Sequence, residues 1–129
     1  MTKILVIDDE KPTLSMFRLF LEAWGYSVLT AENGAKGLEI FRKEKPAIVI
    51  TDIKMPGIDG LAVLQRILDI DSKAAVIVIT GHGDTDLEQR ALENKAVDFI
   101  HKPIKKEALE AALKKAGESL DSTWPSDGR

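Results

Sequence analysis

The apolar positions fall into two alternating patterns. Ile4-Leu5-Val6-Ile7 is a short unbroken run, rich in β-branched residues, that stops at Asp8-Asp9. A run of that length reads as a strand buried on both faces. Pro12 then suits a first helical turn. Leu14, Phe17, Phe20, Leu21 and Trp24 recur at helical spacing up to Gly25, a helix stop. Residues 26–30 predict a second, weaker strand. Asn33-Gly34 is a turn signal, and Leu38 and Phe41 predict a short helix ending before Lys45-Pro46. Residues 47–51 form a third apolar run, closed by Asp52, and the loop over 54–60 is rich in breakers. Leu61, Leu64, Ile67 and Leu68 predict a third helix. Residues 75–80 are the most hydrophobic strand, followed by the loop Gly81-His82-Gly83-Asp84. Leu87, Ala91 and Leu92 mark a helix with few large apolar residues. Residues 97–100 predict a short fifth strand, closed by Lys102-Pro103, and Leu109, Ala112, Leu113 and Ala116 predict a last helix. From 118 to 129 the chain is polar and reads as a tail or linker after a domain spanning 1–117.

Strands alternating with helices place the chain in the α/β class, a parallel sheet with helices on both faces. The length of 129 residues suits one domain with one real core. Composition mostly excludes. Cysteine is absent, so a disulfide framework, a thiol nucleophile and a cysteine metal site are ruled out. His82 and His101 alone cannot build a zinc site. A net charge of −3 gives no overall pull toward nucleic acid, and the few scattered aromatic residues offer no base-stacking surface. No apolar run reaches the ~18 residues of a membrane span. The start, Met1-Thr2-Lys3, does not resemble a signal peptide, so a cytoplasmic location is expected.

In open α/β sheets, ligand chemistry collects at the carboxyl ends of the strands. Asp8 and Asp9 follow the first strand, Asp52 the third, Thr80 closes the fourth, and Lys102 follows the fifth. Carboxylates gathered on one edge raise one another's pKa values and coexist ionised only beside a cation. Oxygen ligands at that density suit magnesium. An ammonium and a hydroxyl nearby can bind phosphoryl oxygens. Together these residue types point to phosphoryl transfer with a carboxylate nucleophile.

Four blocks in order carry a family resemblance: Ile7-Asp8-Asp9-Glu10, Asp52-Ile-Lys-Met-Pro-Gly-Ile-Asp-Gly60, Ile79-Thr80-Gly81-His82-Gly83-Asp84, and Asp98-Phe99-Ile100-His101-Lys102-Pro103. With each block at the end of a predicted strand, the chain resembles the receiver domain of two-component response regulators. The wording of the second and third blocks is most similar to receivers of the nitrogen-regulation and nitrogen-fixation type. The resemblance implies a flavodoxin-like, doubly wound sheet of five parallel strands in the order 2-1-3-4-5, with five helices. It implies a phosphorylation-dependent switch rather than a turnover enzyme, one that catalyses its own aspartyl phosphorylation and dephosphorylation. Asp52 is then the phosphoryl acceptor and also one of the metal-binding residues. Asp9 ligates magnesium (or manganese in its place) directly, Asp8 through water, and Lys54 through its backbone carbonyl. Lys102 pairs with phosphoryl oxygens, Thr80 moves toward them, and Phe99 is the aromatic that turns inward. Lys102-Pro103 is expected to be cis. The implied partners are a sensor histidine kinase and a downstream effector domain or protein reading the helix 4, strand 5 and helix 5 face. The resemblance also allows a homodimer formed on phosphorylation, with no direct nucleic-acid or membrane binding by this chain.

The same residues also suit plainer roles. Asp8-Asp9 suits a helix N-cap. His82 reads as an exposed loop residue able to tune water access to an acyl phosphate, as does Lys54. His101 reads as solvent-facing. Phe99 lacks a tyrosine hydroxyl, so the switch is expected to work by packing alone. Lys95 stands where the family has glycine, and Asn94 is the alternative left-handed residue. A haloacid-dehalogenase-type phosphatase wants Asp-x-Asp after the first strand, and this chain has Asp8-Asp9-Glu10. A flavodoxin-like cofactor binder needs a hydroxyl-rich phosphate loop there, which is missing. A phosphorylation-independent adaptor has no need of the full site.

Overall fold

The computed structural model describes residues 2–81 and 83–120. Strands and helices alternate: β1 (Lys3–Ile7), α1 (Lys11–Ala23), β2 (Ser27–Ala31), α2 (Gly34–Glu44), β3 (Ile48–Asp52), α3 (Gly60–Ile70), β4 (Ala75–Thr80), α4 (Thr85–Glu93), β5 (Asp98–His101) and α5 (Lys106–Leu120). The strands make one parallel sheet in the order β2-β1-β3-β4-β5. The order reverses between β1 and β3, which opens a crevice at their carboxyl ends.

The period-2 alternation of each strand sorts the core into two layers. Ile4, Val6, Ile48, Ile50, Ile77 and Ile79 face one way, against Leu14, Phe17 and Leu21 of α1 and Leu109, Ala112 and Leu113 of α5. Leu5, Ile7, Val49, Val76 and Val78 face the other, against Leu38 and Phe41 of α2, Val63, Leu64 and Ile67 of α3, and Ala91 of α4. α4 contributes the buried Ala91 and the half-buried Leu87 to the apolar part of that layer. Leu92, expected on its buried stripe, is 40% exposed. α4 is thus the helix held least by apolar packing, beside the sheet edge that carries β5.

Several local readings shift. Asn33-Gly34 opens a helix instead of a turn: the Asn33 side chain caps α2 by accepting from the Lys36 N–H at 2.8 Å. Asp52 is the last residue of β3 rather than the residue after it. α5 continues past the expected boundary at 117, through Ser119 to Leu120; the rest of the expected tail, and His82, lie outside the described residues. Lys95, not Asn94, takes the left-handed conformation, with φ +72°. The reason is the helix end. Ala96 N–H donates to the Ala91 carbonyl and Lys95 N–H to the Leu92 carbonyl, both at 3.0 Å. This paired bonding demands a left-handed residue one past the cap. α1 ends the same way, and there Gly25 fills the position at φ +94°.

Candidate functional site

The β1–β3 register pairs Ile4 with Ile48 and runs on to Ile7 opposite Thr51. One further step sets Asp8 beside Asp52. Asp8 is fully buried, Asp52 nearly so, and Asp9 exposed. Each offers a carboxylate oxygen, and the three oxygens lie within 4.8 Å of one another. Lys102 comes in from the end of β5, where its N–H donates to the Thr80 carbonyl at 2.9 Å and its bond to Pro103 is cis. The Lys102 ammonium donates to Asp52 Oδ2 at 3.0 Å and to Glu10 Oε1 at 2.6 Å, with Asp8 Oδ2 at 3.4 Å.

Burial, opposed by the hydrogen bond from the Glu10 N–H and assisted by the charge of Asp52, pushes the Asp8 carboxyl up to about 6. Carboxylate crowding is therefore real here, but loss of water outweighs repulsion. For Lys102, burial works against the charge. The hydrogen bonds to Glu10 and Asp52 and the charges of Asp52 and Asp8 more than offset it and raise the ammonium above its ordinary value. The same contact lowers Glu10. Glu10 is the residue at the α1 N-cap, without a side-chain cap bond, so neither Asp8 nor Asp9 caps the helix. Asp8 Oδ1 instead accepts the Glu10 N–H at 2.8 Å. Asp8 Oδ2 is buried and accepts no hydrogen bond. A buried acceptor left over beside two more carboxylates is what a hard divalent cation fits.

The loop after β3 closes the site from the other side. Lys54 N–H donates to Asp52 Oδ1 at 3.3 Å, while the Lys54 ammonium reaches Asp84 Oδ1 at 2.7 Å. Asp84 Oδ2 accepts the Gly81 N–H at 2.7 Å. Those two bonds, the one from Lys54 first, hold Asp84 below the usual carboxylate range. Gly60 is required where the loop turns into α3, because a Cβ there would run into the Asp52 carbonyl oxygen and the Ile53 Cα. Asp9, Glu10, Asp52, Lys54, Gly81, Asp84 and Lys102 together line one open cleft.

Thr80 is fully buried, and its hydroxyl donates to Glu88 Oε2 at 2.8 Å. His101 Nδ1 lies 3.1 Å from the same oxygen and 3.2 Å from the Thr80 hydroxyl. The His101 ring meets the half-buried Phe99 edge-on, with centroids 5.5 Å apart. His101 is largely exposed, as expected, and its Nδ1 also lies beside Thr80 and Glu88. The Phe99 ring rests on that histidine.

Asp8, Asp9, Asp52 and Lys102 thus converge as read from the strand ends. Thr80 closes β4 on the same edge, with its hydroxyl committed to α4. Glu10, Asp84, Glu88 and His101 were not anticipated as partners. Asp84, Glu88 and Ala91 share a helical spacing of four and three, so a glutamate on the inward stripe of α4 was the available signal. For His101 the signal was register, which sets it opposite Thr80.

The sequence profile of the response regulator receiver domain matches residues 4–114. Sporulation initiation phosphotransferase F of Bacillus subtilis is 34% identical over 113 residues, covering 88% of this chain and 91% of that protein. Transcriptional regulatory protein GlrR of Escherichia coli is 34% identical over 125 residues, covering 94% of this chain and 28% of that protein. The chain therefore spans little more than a quarter of that relative's length. A response regulator receiver domain from Clostridium thermocellum superimposes with a TM-score of 0.86 at 40% identity, covering 90% of this chain and 94% of that one. A profile match across nearly all of the described residues, a solved structure of the same shape, and acidic, lysine and threonine residues at the strand ends agree: the chain belongs to the response regulator receiver domain family.

Proposed function

We infer that Asp52 is the phosphoryl acceptor of this receiver and that a sensor histidine kinase supplies the phosphoryl group. The observation that carries this is the position of Asp52. It is 6% exposed at the end of β3, hydrogen-bonded to Lys102 at 3.0 Å, with a carboxylate oxygen within 4.8 Å of those of Asp8 and Asp9. A carboxylate oxygen of Asp52 attacks phosphorus, the P–N bond to the donor imidazole breaks, and the imidazole leaves with its electron pair. Lys102 balances charge on the transferred oxygens. Asp8, Asp9 and the Lys54 carbonyl would hold magnesium, or manganese in its place; when bound, the ion neutralises charge on the phosphoryl oxygens. The Asp8 oxygen without a hydrogen bond supports that assignment. Water attack on the acyl phosphate returns the carboxylate, so the chain turns itself off without being a metabolic enzyme.

The output reading is that the face built by α4, β5 and α5 changes when Asp52 is modified, and that an effector domain or protein reads it. α4 supports this, since its hold on the sheet is as much polar as apolar. No helix among the described residues is long and apolar enough to cross a membrane, which accords with a cytoplasmic site of action.

Incubation with magnesium and acetyl phosphate should add one phosphoryl group to the intact mass. Asp52→Asn should abolish the addition. Equal incorporation into the variant would remove Asp52 from the role.

A further inference from the structure

We propose that Glu88 is a positioning residue for the switch. It holds the single hydroxyl proton of Thr80 in the unmodified chain and competes for it with the oxygens of a phosphoryl group on Asp52. His101 is the donor that lets Glu88 release it. The proposal rests on Asp52 being the acceptor and Thr80 the hydroxyl that answers it.

Proton counting assigns the roles. As a carboxylate, Glu88 only accepts, and Thr80 has one proton, which goes to Glu88 Oε2 at 2.8 Å. Both contacts of His101 Nδ1, at 3.1 Å to Glu88 and 3.2 Å to Thr80, are attractive only if Nδ1 carries a hydrogen. The network therefore assigns the proton to Nδ1. Glu88 then takes the Thr80 hydrogen from β4 and has the His101 Nδ1–H of β5 3.1 Å away, at a point where it is 8% exposed.

Burying a carboxylate is costly unless it is hydrogen-bonded, and α4 has little apolar surface to offset it. Ala91 is its one fully buried apolar residue, with Leu87 only partly buried against the layer. The arrangement makes sense as a competition between two anionic acceptors for one proton. When Thr80 turns toward the phosphoryl oxygens, Glu88 loses its hydrogen bond and the His101 Nδ1–H, 3.1 Å away, turns to it. His101 carries the Phe99 ring against its own. The exchange therefore reaches both α4 and β5 through side chains already in contact.

The two partners act with opposite sign, and this separates the proposal from a merely structural role. Glu88→Gln keeps the shape but is a weaker acceptor, so Thr80 is released more easily. His101→Phe leaves Glu88 dependent on Thr80, so release is harder. The full chain, loaded with magnesium, is titrated with beryllofluoride as a phosphoryl mimic and followed by amide proton–nitrogen spectra, which also report folding. Glu88→Gln should tighten beryllofluoride binding about tenfold, the difference between a charged and a neutral acceptor. His101→Phe should weaken it. In a Thr80→Val background, Glu88→Gln should change nothing. Unchanged or weaker binding by Glu88→Gln overturns the proposal. So does a gain that persists without the Thr80 hydroxyl, or a shift of the same sign for both variants. Failure of the wild type to bind, or undiminished binding by Asp52→Asn, overturns the acceptor reading instead.

Discussion

Replacing Asp8 by Asn should stabilise the metal-free chain, although Asp8 sits at the centre of its most polar site. Asp8 titrates at about 6 in the folded chain against an ordinary 3.8. The folded state thus binds that proton more tightly than the unfolded state. The resulting stabilisation is complete below pH 3.8 and is lost as pH rises through 6. At 1.36 kcal/mol per tenfold, an ionised Asp8 costs the fold about 3 kcal/mol at pH 8 and about 1 kcal/mol at pH 4.5. The direction is opposite to that of a salt-bridged carboxylate, because burial outweighs the ammonium of Lys102 at 3.4 Å. Asn keeps an oxygen for the Glu10 N–H and brings no charge. Urea unfolding in a chelator, followed by far-ultraviolet circular dichroism, should show Asp8→Asn more stable by about 3 kcal/mol at pH 8, with the gap shrinking toward pH 4.5. Magnesium should close the gap from the other side, since a ligand at a hundredfold excess over its Kd adds about 2.7 kcal/mol to the state that binds it. Equal stabilities at pH 8, or a gap that ignores both pH and magnesium, would refute the reasoning.

Other expectations test the frame around the site. Lys95 holds φ +72° because the α4 helix end demands it. Lys95→Gly should therefore raise the urea midpoint, by about 1 kcal/mol in stability; a fall would mean the lysine side chain matters more than its backbone. Gly60→Ala forces a methyl against the Asp52 carbonyl and the Ile53 backbone. It should cost about 2 kcal/mol and slow phosphoryl incorporation by displacing Asp52 from Lys102; wild-type stability and rate would show that the loop yields freely.

Much of the molecule was readable from local pattern. Three apolar runs are unambiguous because strands buried on both faces carry no polar interruption, and β1, β3 and β4 appear where those runs lie. Boundaries moved by a residue or so where the pattern thins, as at β2 and β5. Asn33-Gly34 misled because an asparagine serves a turn and a helix cap by the same side-chain bond to a backbone N–H. Lys95 was readable as an anomaly, but only the paired backbone bonds at the end of α4 decide which residue bears the left-handed conformation.

The divide follows the range of the interactions. Runs, caps and stops act over a few residues, so the chain by itself determines its elements. With the rule that chemistry gathers at strand carboxyl ends, it also determines that Asp8, Asp9, Asp52, Thr80 and Lys102 belong to one edge. Which groups share a proton depends on angles and registers between elements far apart in sequence. Lys102 divides itself among Glu10, Asp52 and Asp8 only because β5 ends beside β4 while β1 and β3 end beside each other. Glu88 finds Thr80 and His101 only because α4 turns that one face toward the paired ends of β4 and β5. The upward sign of the Asp8 shift was expected from crowded carboxylates, but its main cause, burial, was a tertiary matter.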